Sequence, residues 1–235
     1  MVGTKSLAWA TNPAILESSL HGVASEMADN KLACHVALVG DSIFDNGGYV
    51  SPEPDVCSQL LELIEKVTLC AVDGATTSSV HQQLQDVPPD VNYLVLSVGG
   101  NDALQEGGVL DQAVRSVREG LAALSGMIRD FEQSYSRLMD AVIHRARIVG
   151  CKTIVCTIYD PFYVYGVEQV AISTALRLFN DVILSTALAN DLPVIDLRTV
   201  CFNKEDFTHE IEPSTIGGRK IALAIRDKIK KIDSL

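Results

Sequence analysis

Ser42 stands in "ALVGDSIFDNGGYV" (37–50), where a run of strand-forming apolar residues ends in Gly40 and Asp41. Core material leading into a small polar residue presents a hydroxyl at the lip of a sheet. Near neutral pH such a hydroxyl attacks a carbonyl poorly unless a base takes its proton. Acyl transfer also needs donors aimed at the oxygen that becomes negative. "VDGATTS" brings Gly74 and its backbone N–H, and "SVGGND" brings Gly99, Gly100, Asn101 and Asp102. Of the five histidines, His21, His35, His81 and His144 fall within or at the foot of expected helices and strands. His209 differs, because it lies in a loop, "KEDFTHEIEPSTIGG", with Asp206 three positions before it. That D-x-x-H spacing lets a carboxylate hold Nδ1 while Nε2 takes the Ser42 proton. The order Ser42, Asp206, His209 is also a recurring one for such triads.

These residues need a scaffold that gathers distant loops at one edge. "CHVALVG", "TLCAV", "VNYLVLSV", "KTIVCTI" and "LPVIDL" read as strands, the first buried on both faces because its apolar residues are consecutive. Between them, "PDVCSQLLELIEKV", "TTSSVHQQLQ", "EQVAISTALRLFNDVILSTALAN" and "PSTIGGRKIALAIRDKIKK" read as helices. From Leu110 an apolar stripe runs through Val114, Val117, Leu121, Leu124, Ile128, Phe131, Tyr135, Leu138 and Val142, interrupted by Gly120 and Gly126. Such a stripe covers a sheet or forms an interface between copies, and the glycines favour the sheet.

Strand–helix alternation implies an α/β fold, a three-layer α/β/α sandwich on a mostly parallel five-stranded sheet with right-handed crossovers. Ligands bind such sheets at the carboxyl ends of the strands, where all three chemistry-bearing loops open. Residues 1–33 read as an amphipathic helical extension, with Leu16, Leu20, Val23 and Met27 on one side after Asn12-Pro13. Residues 34–235 read as a single domain.

The 235 residues are 47% hydrophobic and carry a formal charge of -11, which repels nucleic acid and anionic membrane surfaces. Six cysteines without a C-x-x-C pair suit reduced core side chains, not disulfides or a zinc site. No signal-peptide h-region or run of about 18 apolar residues is apparent, so a soluble cytoplasmic chain is expected. There is no phosphate-binding G-x-x-x-x-G-K-[ST], no G-x-S-x-G elbow, and "HEIEP" lacks the second His of a zinc protease. No metal or cofactor is expected.

The blocks "GDSIFDN", Gly74, "GGND" and "DFTH" together resemble those of the SGNH (GDS-type) hydrolases, over about residues 36–225. That resemblance implies a flavodoxin-like fold and metal-free hydrolysis of esters or thioesters through an acyl-enzyme. It makes Ser42 the nucleophile, the Ser42 and Gly74 N–H groups with the Asn101 amide the oxyanion hole, His209 the base and Asp206 its orienter. Asp41, Gly99 and Gly100 would support the site. Two departures matter. Asp73 precedes Gly74 where the family often has another polar residue. Glu212 stands where the family pattern puts its His, so either a short insertion moves the His back to 209, which the Asp206 spacing favours because Glu212 would have His209 as its partner in reversed roles, or His209 is accidental and the site is altered. An ester or thioester is then the expected partner, and a homo-oligomer stays open through the apolar stripe. A pocket that binds ligand without turnover is the alternative. Asp45 and Asn46 read as an Asx-type turn, Asp102 as an N-cap, and Tyr159, Phe162, Tyr163 and Tyr165 either as an acyl-pocket lining or as loop aromatics packed on their own neighbours.

Overall fold

A computed structural model describes residues 31–162 and 166–234. The five strands β1 (Leu32–Gly40), β2 (Ile64–Leu69), β3 (Tyr93–Ser97), β4 (Lys152–Cys156) and β5 (Val194–Ile195) form one parallel sheet in the order β2-β1-β3-β4-β5. In β1, Val36, Ala37, Leu38 and Val39 are fully buried. Because successive side chains point to opposite faces, Ala37 and Val39 enter one core while Val36 and Leu38 enter the other. This explains why β1 reads as an unbroken apolar run.

The first core is closed by α2 (Val80–Asp86), α4 (Val117–Val149) and α5 (Gly166–Ala189). The second is closed by α1 (Val56–Leu61) and α6 (Thr215–Asp233), which pack on each other. Between β3 and α4 lie a short helix, α3 (Gly100–Gln105), and a 3-10 turn over Gly107–Asp111. A small antiparallel hairpin, β6 (Phe207–Thr208) with β7 (Glu212–Pro213), precedes α6.

Three readings of the sequence shift. The segment after Leu61, expected to continue a helix, is the edge strand β2, whose Ile64 is buried while Glu65 and Lys66 face solvent. The stripe from Leu110 becomes helical at Val117, and its two ends differ. Phe131, Tyr135, Leu138 and Val142 are core, whereas Val117 and Leu121 are 80% and 61% exposed. The helix outruns the sheet it covers. Finally, α5 is long and apolar enough on length and composition to cross a bilayer, though here it buries Leu176, Phe179 and Ile183 against the sheet and packs on α4.

The expected extension over residues 1–33 falls outside the described residues apart from its last three, of which Leu32 and Ala33 already belong to β1. Tyr163 and Tyr165 also fall outside them. All six cysteines are free thiols.

Candidate active site

Gly40 sets the bend that delivers Ser42. Its φ is +139°, and a Cβ there would lie 1.7 Å from the Ser97 carbonyl of β3, so no other residue fits. The Gln83 side chain grips this glycine from both sides, accepting from its N–H and donating to its carbonyl, each at 2.8 Å. The following turn closes on Asp41, whose carbonyl accepts from Phe44 and Asp45 and whose Oδ1 accepts from Ile43 at 3.1 Å. Ser42 is thereby fixed at the carboxyl end of β1, 8% exposed.

The partner of that hydroxyl is a carboxylate. Ser42 Oγ donates to Glu212 Oε1 at 3.2 Å. Glu212 is 6% exposed, and among the described residues its Oε2 meets no hydrogen-bond donor. Burial pushes the Glu212 pKa above the ordinary carboxylate value, with Asp73 adding to the rise; the Ser42 hydroxyl and nearby His209 oppose it. Asp41 is 3% exposed, and burial followed by the proximity of Glu212 and Asp102 pushes it up to about 8 against the bond from Ile43.

The expected Ser42–His209–Asp206 relay is not assembled. His209 opens the tight turn between β6 and β7 with φ +50°, followed by Glu210 at +71°, and it is exposed. Among the described residues its ring meets no hydrogen-bond partner, its near neighbour being Tyr49 at 6.3 Å between centroids. The turn reverses the chain, so the residue carried back to Ser42 is Glu212, paired with Thr208 across the hairpin.

Asp206 is fully buried but engaged elsewhere. Its Oδ1 meets Lys220 Nζ at 2.6 Å, and its Oδ2 accepts from Phe202 and Asn203 at 3.0 Å. Burial alone would raise its pKa, yet Lys220 and these N–H groups hold it below the usual range. Asp206 thus anchors the hairpin to α6. Gly217 on α6 permits the approach, since a Cβ there would sit 2.1 Å from the Asp206 carbonyl.

The oxyanion-hole candidates are positioned differently. Neither the Ser42 nor the Gly74 backbone N–H donates to a protein acceptor among the described residues, so both are unspent. Asn101, on α3, lines the cavity and gives one amide N–H to the Ala75 carbonyl at 3.0 Å, keeping the other. Asp102 is not an N-cap here: it accepts from the Thr77 N–H at 3.1 Å and hydroxyl at 2.6 Å, tying the Gly74 loop to α3. Gly99 precedes α3 beneath Phe131 and Ile158, while Gly100 starts that helix, where an added Cβ would lie 3.9 Å from Asp41 Oδ2.

Sequence reasoning missed Asn46, which is fully buried. It is no simple Asx turn. Its Nδ2 donates to the Pro213 carbonyl at 2.9 Å and its Oδ1 accepts from Val56 at 3.0 Å, joining the Ser42 loop to the strand that carries Glu212. Asp45 accepts instead from the Asp73 N–H, at 2.9 Å.

Beside Ser42 opens a cavity of about 680 Å³, within the range of small-molecule sites, whose apolar wall includes Met127, Ile158, Ile172, Leu176 and Phe179. Tyr159 lines it too, donating its hydroxyl to the Ile211 carbonyl at 2.6 Å, while Phe162 stacks on Phe207. Among the described residues, no group of three or more His, Cys, Asp or Glu is placed to hold a metal ion.

The model of the GDSL-like Lipase/Acylhydrolase family matches residues 38–215, from β1 to the start of α6. The chain belongs to this family. The match spans Ser42, Gly74, Asn101 and the β6–β7 hairpin. This GDSL-like chain matches no curated protein in sequence. Among solved structures it is similar to a phospholipase A1 from Streptomyces albidoflavus NA297 (TM-score 0.61, 16% identity, 84% of this chain and 100% of that one). It is similar as well to an extracellular lipase from Streptomyces rimosus (0.62, 15%, 84% and 100%). An acetyl xylan esterase from Geobacillus stearothermophilus gives 0.58 and 16% identity over 85% and 95%. At such identities the likeness is one of fold.

Proposed function

We propose that this GDSL-like protein is a serine esterase that works through an acyl-enzyme, with Glu212 taking the part of the usual imidazole. The observation that carries this is the 3.2 Å bond from the Ser42 hydroxyl to the Glu212 carboxylate at the wall of an apolar cavity. Ser42 Oγ attacks the substrate carbonyl carbon while its proton passes to Glu212. The carbonyl electron pair moves onto oxygen, which the unspent N–H groups of Ser42, Gly74 and Asn101 receive. Collapse breaks the bond to the alcohol, which leaves with the proton held on Glu212. Water then repeats the sequence on the acyl-enzyme. A carboxylate whose pKa is raised by burial is a stronger base than a solvated one, which suits it to this task.

Labelling by a fluorophosphonate and hydrolysis of p-nitrophenyl esters test the reading. Ser42→Ala removes both. Glu212→Gln lowers turnover by about 100-fold or more, the scale of a lost general base. His209→Ala changes it by roughly twofold at most, the scale of an exposed charge. A folded protein in which Ser42 stays unlabelled refutes the esterase reading and leaves a ligand-binding pocket. Equal losses in the His209 and Glu212 variants refute the assignment of the base.

A further inference from the structure

The charge lining the cavity is of one sign. Asp41, Asp111, Glu168 and Glu212 line it, and among the described residues no Lys, Arg or His does. Asp111 and Glu168 are exposed, but Asp41 and Glu212 are 3% and 6% exposed. Burying a carboxylate costs several kcal/mol unless a cation and hydrogen bonds compensate. This fold supplies such compensation elsewhere, where buried Asp206 receives Lys220 and two backbone N–H groups. At the cavity no cation is in contact with either carboxyl among the described residues, His209 acting on Glu212 only from outside the lining. Among the described residues, Glu212 has the Ser42 hydroxyl on one oxygen and no donor on the other, and Asp41 meets backbone N–H groups, that of Ile43 at 3.1 Å, but no cation.

The missing counter-charge and the apolar wall define a ligand. We infer that the cavity takes a molecule with an ammonium group on an apolar body, the ammonium against the unpartnered Glu212 carboxylate oxygen and the body along Met127, Ile158, Leu176 and Phe179. The same lining repels a carboxylate or phosphate on such a body. This goes beyond the esterase reading and does not rest on turnover. Where the chain does hydrolyse esters, amines of this kind compete with substrate, because the ammonium draws on the carboxylate that serves Ser42.

Octylammonium, octanol and octanoate, each below its aggregation threshold, share one body and differ in head charge. Titrated calorimetrically into the full chain, octylammonium binds saturably, octanol binds at least tenfold more weakly and octanoate does not bind. Glu212→Gln lowers octylammonium affinity about tenfold or more and leaves octanol binding in place, as expected for loss of a desolvated charge partner. Asp41→Asn, which keeps an oxygen for the Ile43 N–H, weakens octylammonium in the same direction at pH 9, above the value of about 8 to which burial lifts Asp41, and serves there if the first variant does not fold. Equal affinity for amine and alcohol overturns the inference. So does octylammonium binding untouched by either substitution, which would mark adsorption to an acidic surface. A protein that hydrolyses no ester but binds octylammonium through Glu212 refutes the esterase and keeps the cation site.

Discussion

Replacing Asp41 by Asn tests the electrostatics of the site through stability alone. The folded state holds the Asp41 proton up to about pH 8, whereas the carboxyl in the unfolded chain releases it near 3.8. Between those values the native state binds more protons, so the free energy of unfolding falls as pH rises, by roughly 1.4 kcal/mol per pH unit for one group. The stabilisation is complete below the unfolded pKa and is lost as pH climbs toward the folded one. From about pH 5 to about pH 8 the wild type should therefore lose roughly 4 kcal/mol that Asp41→Asn keeps. Asn preserves the oxygen that accepts from Ile43 and cannot ionise, so the contrast isolates the proton. Urea unfolding at half-unit pH steps gives both curves. Wild-type and variant curves that stay parallel across this window would show that Asp41 titrates normally, and the reasoning from burial would fail.

Ester turnover should fall as pH drops through the raised Glu212 pKa, because the protonated carboxyl cannot accept the Ser42 proton; a pH–rate profile shows the limb, and Glu212→Gln abolishes it. Asn46→Ala should destabilise the fold by about 1–3 kcal/mol through the buried groups it leaves unpaired, and lower turnover more than stability predicts, checked by denaturation and kinetics together. Lys220→Met should cost about 3–5 kcal/mol above the folded Asp206 pKa, since it strands a buried carboxylate; the loss shrinks in acid, as calorimetric melting will show.

The sheet was legible because its central strands are nearly saturated with apolar residues. The first residues of edge strand β2 were not, because Glu65 and Lys66 break the run and resemble the polar face of a helix, so that the expected strand over 68–72 shares only Thr68 and Leu69 with it. Ser42, Gly74 and Asn101, on which the proposed function draws, stand out in the sequence through glycine punctuation after strands, a local signal. The carboxylate that meets Ser42 was not legible, since Asp206-x-x-His209 and His209-x-x-Glu212 have the same spacing and sequence cannot say which lies before the turn. The decision belongs to the hairpin. The left-handed backbone at His209 and Glu210 and the tether of Asp206 to Lys220 are tertiary facts. Asn46 was invisible as a link because both its partners are backbone groups on other elements.

The buried Asn46 amide makes the two halves of the site a single mechanical unit. Any opening that carries residues 207–214 away from the Ser42 loop must first break its bond to Pro213. The Val56 N–H, held by the other end of the same amide, then loses its acceptor to a side chain free to turn. Deuterium uptake at that one distant amide thus serves as a gauge of how often the Ser42 hydroxyl and Glu212 part company.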